Sequence, residues 1–422
     1  MFRVAYVLVV KRHDSLVGDE PYFHLTANWL TEGFGFTAAP HSGIPSALHP
    51  PLYSLALTPA TWISSGTAVL AQRLTGAVIG AASVITVGYL GRAVDGARIG
   101  VIAALVAAVS PTIWINDGVV MSESLATLVV VCCLLLTYRY VRRPTFGNAA
   151  WLGVACGLAA LTRGELILLV PLLGVTAVWG GRRTGGVRPV AGCVCVVGVA
   201  LVVLAPWVAF NLSRFEQPVY VSSNLGGTLC GANNRLTYGG SEVGLWDRGG
   251  CPTSATRPVD QSELNDFWTT QSIDYARDHM SRLPFVAVAR LARIVGVFAP
   301  GQMVTFEADT GGRPRVASWL AYGVSLLLVP VGAYGYVVLR RRRAFVAPLV
   351  VMIGLTLLVA LALHGDVRYR VPADVALVVF AAGGVDAFSS RRSPRSGVDR
   401  PTARRPPAPA RATPLSGTAP TP

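Results

Sequence analysis

The sequence predicts an all-α protein that crosses a membrane about nine or ten times, and three observations carry that prediction. The 422-residue chain is 52% hydrophobic and only 14% charged. Its apolar residues gather into blocks of roughly 15–24 residues with almost no ionisable side chain, the length a helix needs to cross hydrocarbon. A soluble chain of this size would instead show amphipathic helices, each with a polar face. Arginines sit between the blocks and mostly on alternate sides, so the formal net charge of +14 reports membrane orientation and not nucleic-acid binding.

Taken in chain order, residues 1–10 form an apolar stub that reaches about 15 Å as a helix, half a bilayer. It reads as a first spanning helix shortened at its start. A signal peptide would need a small-residue cleavage site, and the acidic pair Asp19–Glu20 follows too soon. The predicted spans then cover 67–90, 99–115, 123–140, 148–162, 166–180, 188–210, 317–339, 345–363 and 372–388. Arg92, Arg98, Arg139, Arg142, Arg143, Arg182, Arg183, Arg188 and the run Arg340 to Arg343 put twelve arginines on one side. The short loops opposite hold three, Arg163, Arg368 and Arg370, so the twelve are assigned to the cytoplasm. Lys11 and Arg12, beside the stub, go against that rule.

Residues 284–299, PFVAVARLARIVGVFA, are apolar enough to tempt a further span. Counting them would carry Arg340 to Arg343 outside. Phe285, Val288, Leu291, Val295 and Phe298 recur at helical spacing between Arg282, Arg290 and Arg293, which predicts an interfacial amphipathic helix. Residues 1–388 then form one multi-pass domain of the plasma membrane, with extracytoplasmic loops at 11–66 and 211–316. Residues 389–422, rich in Pro, Arg and Ser, form a disordered cytoplasmic tail. Five of the seven cysteines lie in apolar blocks; Cys230 and Cys251 flank a Gly/Asn-rich loop and can pair if that loop faces an oxidising compartment.

This topology gathers ionisable residues at the outer boundary: Asp19, Glu20, His49, Asp117, Glu123, Arg163, Glu165, Asp366, Arg368 and Arg370. Any one of them is as well explained by a helix cap or a salt bridge. Acids and arginines converging from four separate loops point instead to an anionic, membrane-held substrate. Sugar transfer from a polyprenyl phosphate suits the set. A carboxylate takes the acceptor hydroxyl proton, and guanidinium groups stabilise the leaving phosphate. A single inverting displacement needs one base, and a groove between spanning helices can hold the lipid tail.

In order, GDEPYFHLTANWLTEGFGF, ALHPPLYSLAL, SPTIWINDGVVMSESLATLVV, GLAALTRGELILL and RYRVPADVALVV resemble segments of the GT-C superfamily of membrane glycosyltransferases. The resemblance is to glycosyltransferase family 39, the protein O-mannosyltransferases and lipid A aminoarabinose transferases, and covers most of residues 1–388. It implies that Asp19 is the catalytic base, with Glu20 beside it and Glu123 as the second-loop acid. His49, Arg163, Arg368, Tyr369 and Arg370 become substrate-binding residues, the RYR segment on the donor phosphate side. Some superfamily members hold a divalent cation between these loops and others do not. The loop SSNLGGTLCGANNRLTYGGSEVGLWDRGGC resembles one common in actinobacterial members, where Asn233, Tyr238 and Trp246 would cover the acceptor. The partners so implied are a polyprenyl-phosphate sugar, membrane lipid, and an envelope glycan, glycolipid or protein acceptor. A transporter or lipid flippase is the main alternative, but it would place charges mid-membrane on broken helices, often with internal repeats, and no clear repeat is visible. A non-catalytic scaffold gives no reason for adjacent acids after the first helix.

Overall fold

The computed structural model describes residues 1–64, 68–182, 186–253 and 260–392. Arg183, and the expected tail from residue 393 onward, lie outside them. Among the described residues there is no β-strand; one bridge joins Thr37 to Pro45. The stub is α1 (Phe2–Tyr6), continued by a π-helical turn, Val7–Lys11. Next come α2 (Glu20–Thr31), α3 (Leu52–Ile63), α4 (Ala68–Asp95) and α5 (Ala97–Val109). The short α6 (Pro111–Trp114) and a 3-10 turn, Ile115–Gly118, turn back by 60° at Pro111, where the ring removes a helical donor. The next four, α7 (Glu123–Arg142), α8 (Phe146–Thr162), α9 (Leu169–Gly181) and α10 (Pro189–Leu212), follow on short connections. An outer layer holds α11 (Leu225–Ala232), α12 (Arg235–Gly239), α13 (Gln261–Asp278), α14 (Leu283–Val295) and α15 (Pro300–Asp309). The chain ends on α16 (Arg315–Arg341), α17 (Ala347–Ala362) and α18 (Val371–Arg392).

Each expected span is helical. Six stretches, Ala68–Asp95, Glu123–Arg142, Gly164–Gly181, Pro189–Leu212, Arg315–Arg341 and Val367–Ser390, are long and apolar enough to cross a membrane. Block 99–115 is the bent α5–α6 unit, and blocks 148–162 and 345–363 are the shorter apolar helices α8 and α17. Burial decides their places. The apolar stretch ending in α18 is 78% buried and forms the hub, while the more apolar α10 is only 22% buried and lies on the rim, as expected where lipid is the solvent. Close approach relies on small residues: a Cβ on Gly100 would meet the Gly88 carbonyl of α4 at 2.6 Å.

The 284–299 segment is amphipathic, as the residue spacing predicts. Phe285 and Val288 of α14 are 53% and 66% exposed, while Arg290 and Arg293 are buried. Arg290 donates to the carbonyls of Leu361 and Ala232, and Arg293 to that of Val243. The arginines thus pin this layer, and the apolar face is left exposed.

Lys11, which runs against the charge asymmetry, is not an exposed topology signal. It is buried, donating to Asp14 at 2.5 Å and to the Gly312 carbonyl at 2.6 Å, while Arg73 caps its own carbonyl. Arg3 of the stub is buried against Asp117.

Candidate active site

Where α2 begins, the chain splits its two acids. Gly18 has a positive φ of 58°, and a Cβ there would collide with the Thr310 carbonyl. This turn allows α2 to start at once, and neighbouring residues of a helix point about 100° apart. Asp19 faces a cavity of about 660 Å³. Glu20 faces the core, fully buried, where it accepts from the Val120 and Val17 amides (2.8 and 3.1 Å) and sits 3.7 Å from Arg73. The adjacent pair is therefore no joint acidic site: Glu20 does not line the cavity, and it ties the 119–120 loop to α2.

Arg368 stands at the floor of the cavity and bridges two carboxylates. Its Nη2 donates to Asp19 Oδ2 at 2.8 Å and its Nε to Glu123 Oε1 at 2.7 Å. Asp366 accepts from the Arg368 amide at 2.9 Å and so caps the 3-10 turn Val367–Arg370 that aims this side chain. The same turn sends Arg370 elsewhere. It pairs with Asp374 at 3.0 Å and lines a small cavity of about 80 Å³ and an apolar groove of about 550 Å³ between α16, α17 and α18, not the large cavity.

Glu123, at the start of α7, gathers three guanidinium groups on Oε1: Arg368, Arg163 at 3.0 Å and Arg313 at 3.5 Å. Arg163 also binds Glu165 at 2.6 Å and lies over the ring of Tyr369, 5.5 Å from its centre. Tyr369 lines the large cavity with Arg163. His49 lies there too, stacked on Phe23 and with its Nε2 3.5 Å from Asp19 Oδ1. Asp117, by contrast, is held by Arg3 and Ser124 outside it.

Arg313 and His364 are the site residues that the sequence did not single out. Arg313 binds Glu307 at 2.5 Å and Asn116 Oδ1 at 2.8 and 3.0 Å, so it fastens α15 to the 115–118 turn behind Glu123. The only signal was its place in a loop between apolar blocks. Cys230 and Cys251 form a disulfide. Of the three candidates in that loop, Trp246 lines the cavity; Asn233 and Tyr238 are buried, bonded to each other at 2.8 Å and, through Asn233, to Arg290.

Electrostatics follow from these contacts. Burial alone would raise the Asp19 carboxyl, but His49 and Arg368 outweigh it and hold the group well below the usual carboxylate range. His364, buried beside the cavity, is pushed down to about 4, chiefly by desolvation and further by Arg290, Arg368 and Arg163, against the pull of Asp366. Its imidazole is neutral near pH 7. Among the described residues no three His, Cys, Asp or Glu side chains gather to hold an ion. The site acids already face guanidinium groups, so this donor set does not fit a divalent cation.

Residues 48–210, from α3 to α10 and including His49, Glu123 and Arg163, match the dolichyl-phosphate-mannose-protein mannosyltransferase family model. The oligosaccharyltransferase of Archaeoglobus fulgidus, in its apo form, superposes with a TM-score of 0.55 at 14% identity, over 92% of this chain and 50% of that one. The chain has the GT-C fold. The same archaeal enzyme, AglB, in complex with an inhibitory peptide and a dolichol-phosphate gives 0.55 at 16% identity, over 92% and 49%. The chain thus spans about half the length of the oligosaccharyltransferase it matches. ArnT from Cupriavidus metallidurans, bound to undecaprenyl phosphate, shares 18% identity over 92% and 78%, at a TM-score of 0.42 that carries no argument. No curated protein sequence matches the chain.

Proposed function

We propose that this GT-C protein transfers a sugar from a polyprenyl-phosphate donor to an acceptor hydroxyl, with inversion at the anomeric carbon. One observation carries the reading: a single guanidinium, Arg368, bridges Asp19 and Glu123 at the floor of a cavity large enough for a sugar. The cavity wall between the 164–168 turn and α17 is apolar, formed by Ile167, Leu168, Leu358 and Leu363, and offers a slot for the lipid end.

In the proposed step the acceptor O–H gives its proton to the Asp19 carboxylate as its oxygen bonds the anomeric carbon. The bond from that carbon to the phosphate oxygen breaks, and its electron pair leaves on the lipid phosphate, where Arg368 and Arg163 stabilise the charge. Glu123, ringed by three guanidinium groups, is too well neutralised to be a nucleophile. Its role is to place those arginines, which supports inversion over the two-carboxylate retaining route.

Asp19 in its resting ion pair is a weak base. Donor phosphate competing for Arg368 loosens that pair and returns basicity to Asp19 only when a donor is present. The residues support a plasma-membrane protein with this cavity on the extracytoplasmic side, since the arginine-rich helix ends all lie opposite it.

Asp19→Asn is expected to cut transfer of labelled sugar from polyprenyl phosphate by about 10²–10⁴-fold in membranes that hold normal protein levels. Wild-type turnover in this variant would remove Asp19 from the base role.

A further inference from the structure

The large cavity has two walls of different chemistry. The inner wall carries Asp19 at the start of α2, Arg163 just after α8 and Arg368 in the turn before α18. The outer wall, built by α11, α13 and the loop before them, presents Asn224, Thr228, Asn265 and Asp266 together with the rings of Tyr220 and Trp246. Among the lining residues from 218 to 269, Asp266 alone is charged, and it is an acid.

This wall is rigid. Asn265 Oδ1 accepts from the Gly226 amide at 2.7 Å, and α11 lies so close to α13 that a Cβ on Gly226 would collide with the Asn265 carbonyl. The Trp246 indole donates to the Gly227 carbonyl at 3.2 Å, which fixes the ring, and the Cys230–Cys251 bridge closes the loop that carries it. Tyr220 is 62% exposed at the rim. The Asp266 carboxylate has no hydrogen bond or ion pair among the described residues, and the Asn265 side-chain nitrogen is likewise uncommitted.

We infer that this outer wall is the acceptor subsite and that it takes a neutral saccharide, a proposal that rests on the transferase reading and names its acceptor class. Amide and carboxylate side chains offer the paired donors and acceptors that vicinal hydroxyls need, and the aromatic faces cover the C–H faces of sugar rings. A peptide is served poorly here. In α11 and α13 the main-chain N–H and C=O groups are bonded within the helices, and in the loop before them the Val221 carbonyl accepts from the Trp207 indole and the Ser223 amide donates to the Ala47 carbonyl, which leaves few groups to pair with an extended backbone. An anionic glycolipid head is disfavoured by Asp266, the one charged side chain lining this wall among the described residues.

The test uses the full chain in neutral-lipid nanodiscs, saturation-transfer NMR, and a panel of neutral di- to tetrasaccharides built from glucose, mannose, galactose or arabinose. At least one saccharide is expected to bind saturably, and Trp246→Ala and Asn265→Ala each to weaken it by about tenfold, the loss of one anchor. A Ser/Thr peptide of similar mass is expected to show no binding. Saccharide binding that both variants leave unchanged, binding of the peptide alone, or no binding of any probe would overturn the assignment. Transfer and binding are read separately on the same protein, so a failed transferase assay with intact, wall-dependent saccharide binding would strike the reaction and not the subsite.

Discussion

Arginine–carboxylate pairs occur at both ends of this helical bundle, and their burial separates them. At the cavity end the Arg163, Arg313 and Arg368 side chains are at most 17% exposed, and Glu123, which they share, is fully buried. At the far end Arg98 is 62% exposed and Arg342 35%; there Arg342 reaches Asp95 and Asp386 at 3.0 and 2.8 Å. Identical chemistry has different consequences in these two places. Water screens the far pairs, which contribute little to stability. Desolvated charges are costly, and their persistence at the cavity end needs a counter-charge, a substrate or both.

The largest expected difference comes from removing the shared carboxylate. Glu123→Gln leaves three guanidinium groups crowded without their anion, and is expected to lower stability by about 3–5 kcal/mol, read as detergent-solubilised thermal unfolding, along with loss of transfer. A variant as stable as wild type would erase the contrast between the two ends.

His364 gives a smaller, pH-dependent effect. Its folded-state pKa lies below its unfolded value, so the folded protein binds fewer protons and stability rises with pH. The stability present above about pH 6.5 is lost as pH falls toward about 4, by roughly 2–3 kcal/mol. His364→Gln should flatten the melting temperature across that window, and an unchanged slope would assign it to other groups.

At the far end Arg342→Ala is expected to cost less than about 1 kcal/mol and leave transfer unchanged. The compartments are fixed by labelling: a cysteine near Arg342 should resist a membrane-impermeant thiol reagent in intact cells, and one at Gly240 should react. The opposite pattern would invert the proposed orientation.

Much of the scaffold was legible because lipid demands apolar blocks of one length, so each block could be read from composition alone. The amphipathic 284–299 segment was legible for the same reason, its spacing separating a lipid face from an arginine face. The site was read more coarsely. Asp19 and Glu20 look equivalent in sequence, yet one helical step sends the first into the cavity and the second into the core. Arg368 and Arg370 likewise diverge within one 3-10 turn. Arg313 gave only its place in a loop and His364 no signal, because their importance lies in contacts to residues distant in the chain.

By itself the sequence determined the helical class, the positions of the spans and the side of the chain on which charges collect. These depend on local hydrophobicity and charge, which do not need a partner. Only the tertiary structure decided which acid meets which arginine, where the cavity opens, and that Trp246 lines it while Tyr238 does not. Those outcomes turn on helix rotation and close packing between segments, and a linear pattern carries neither.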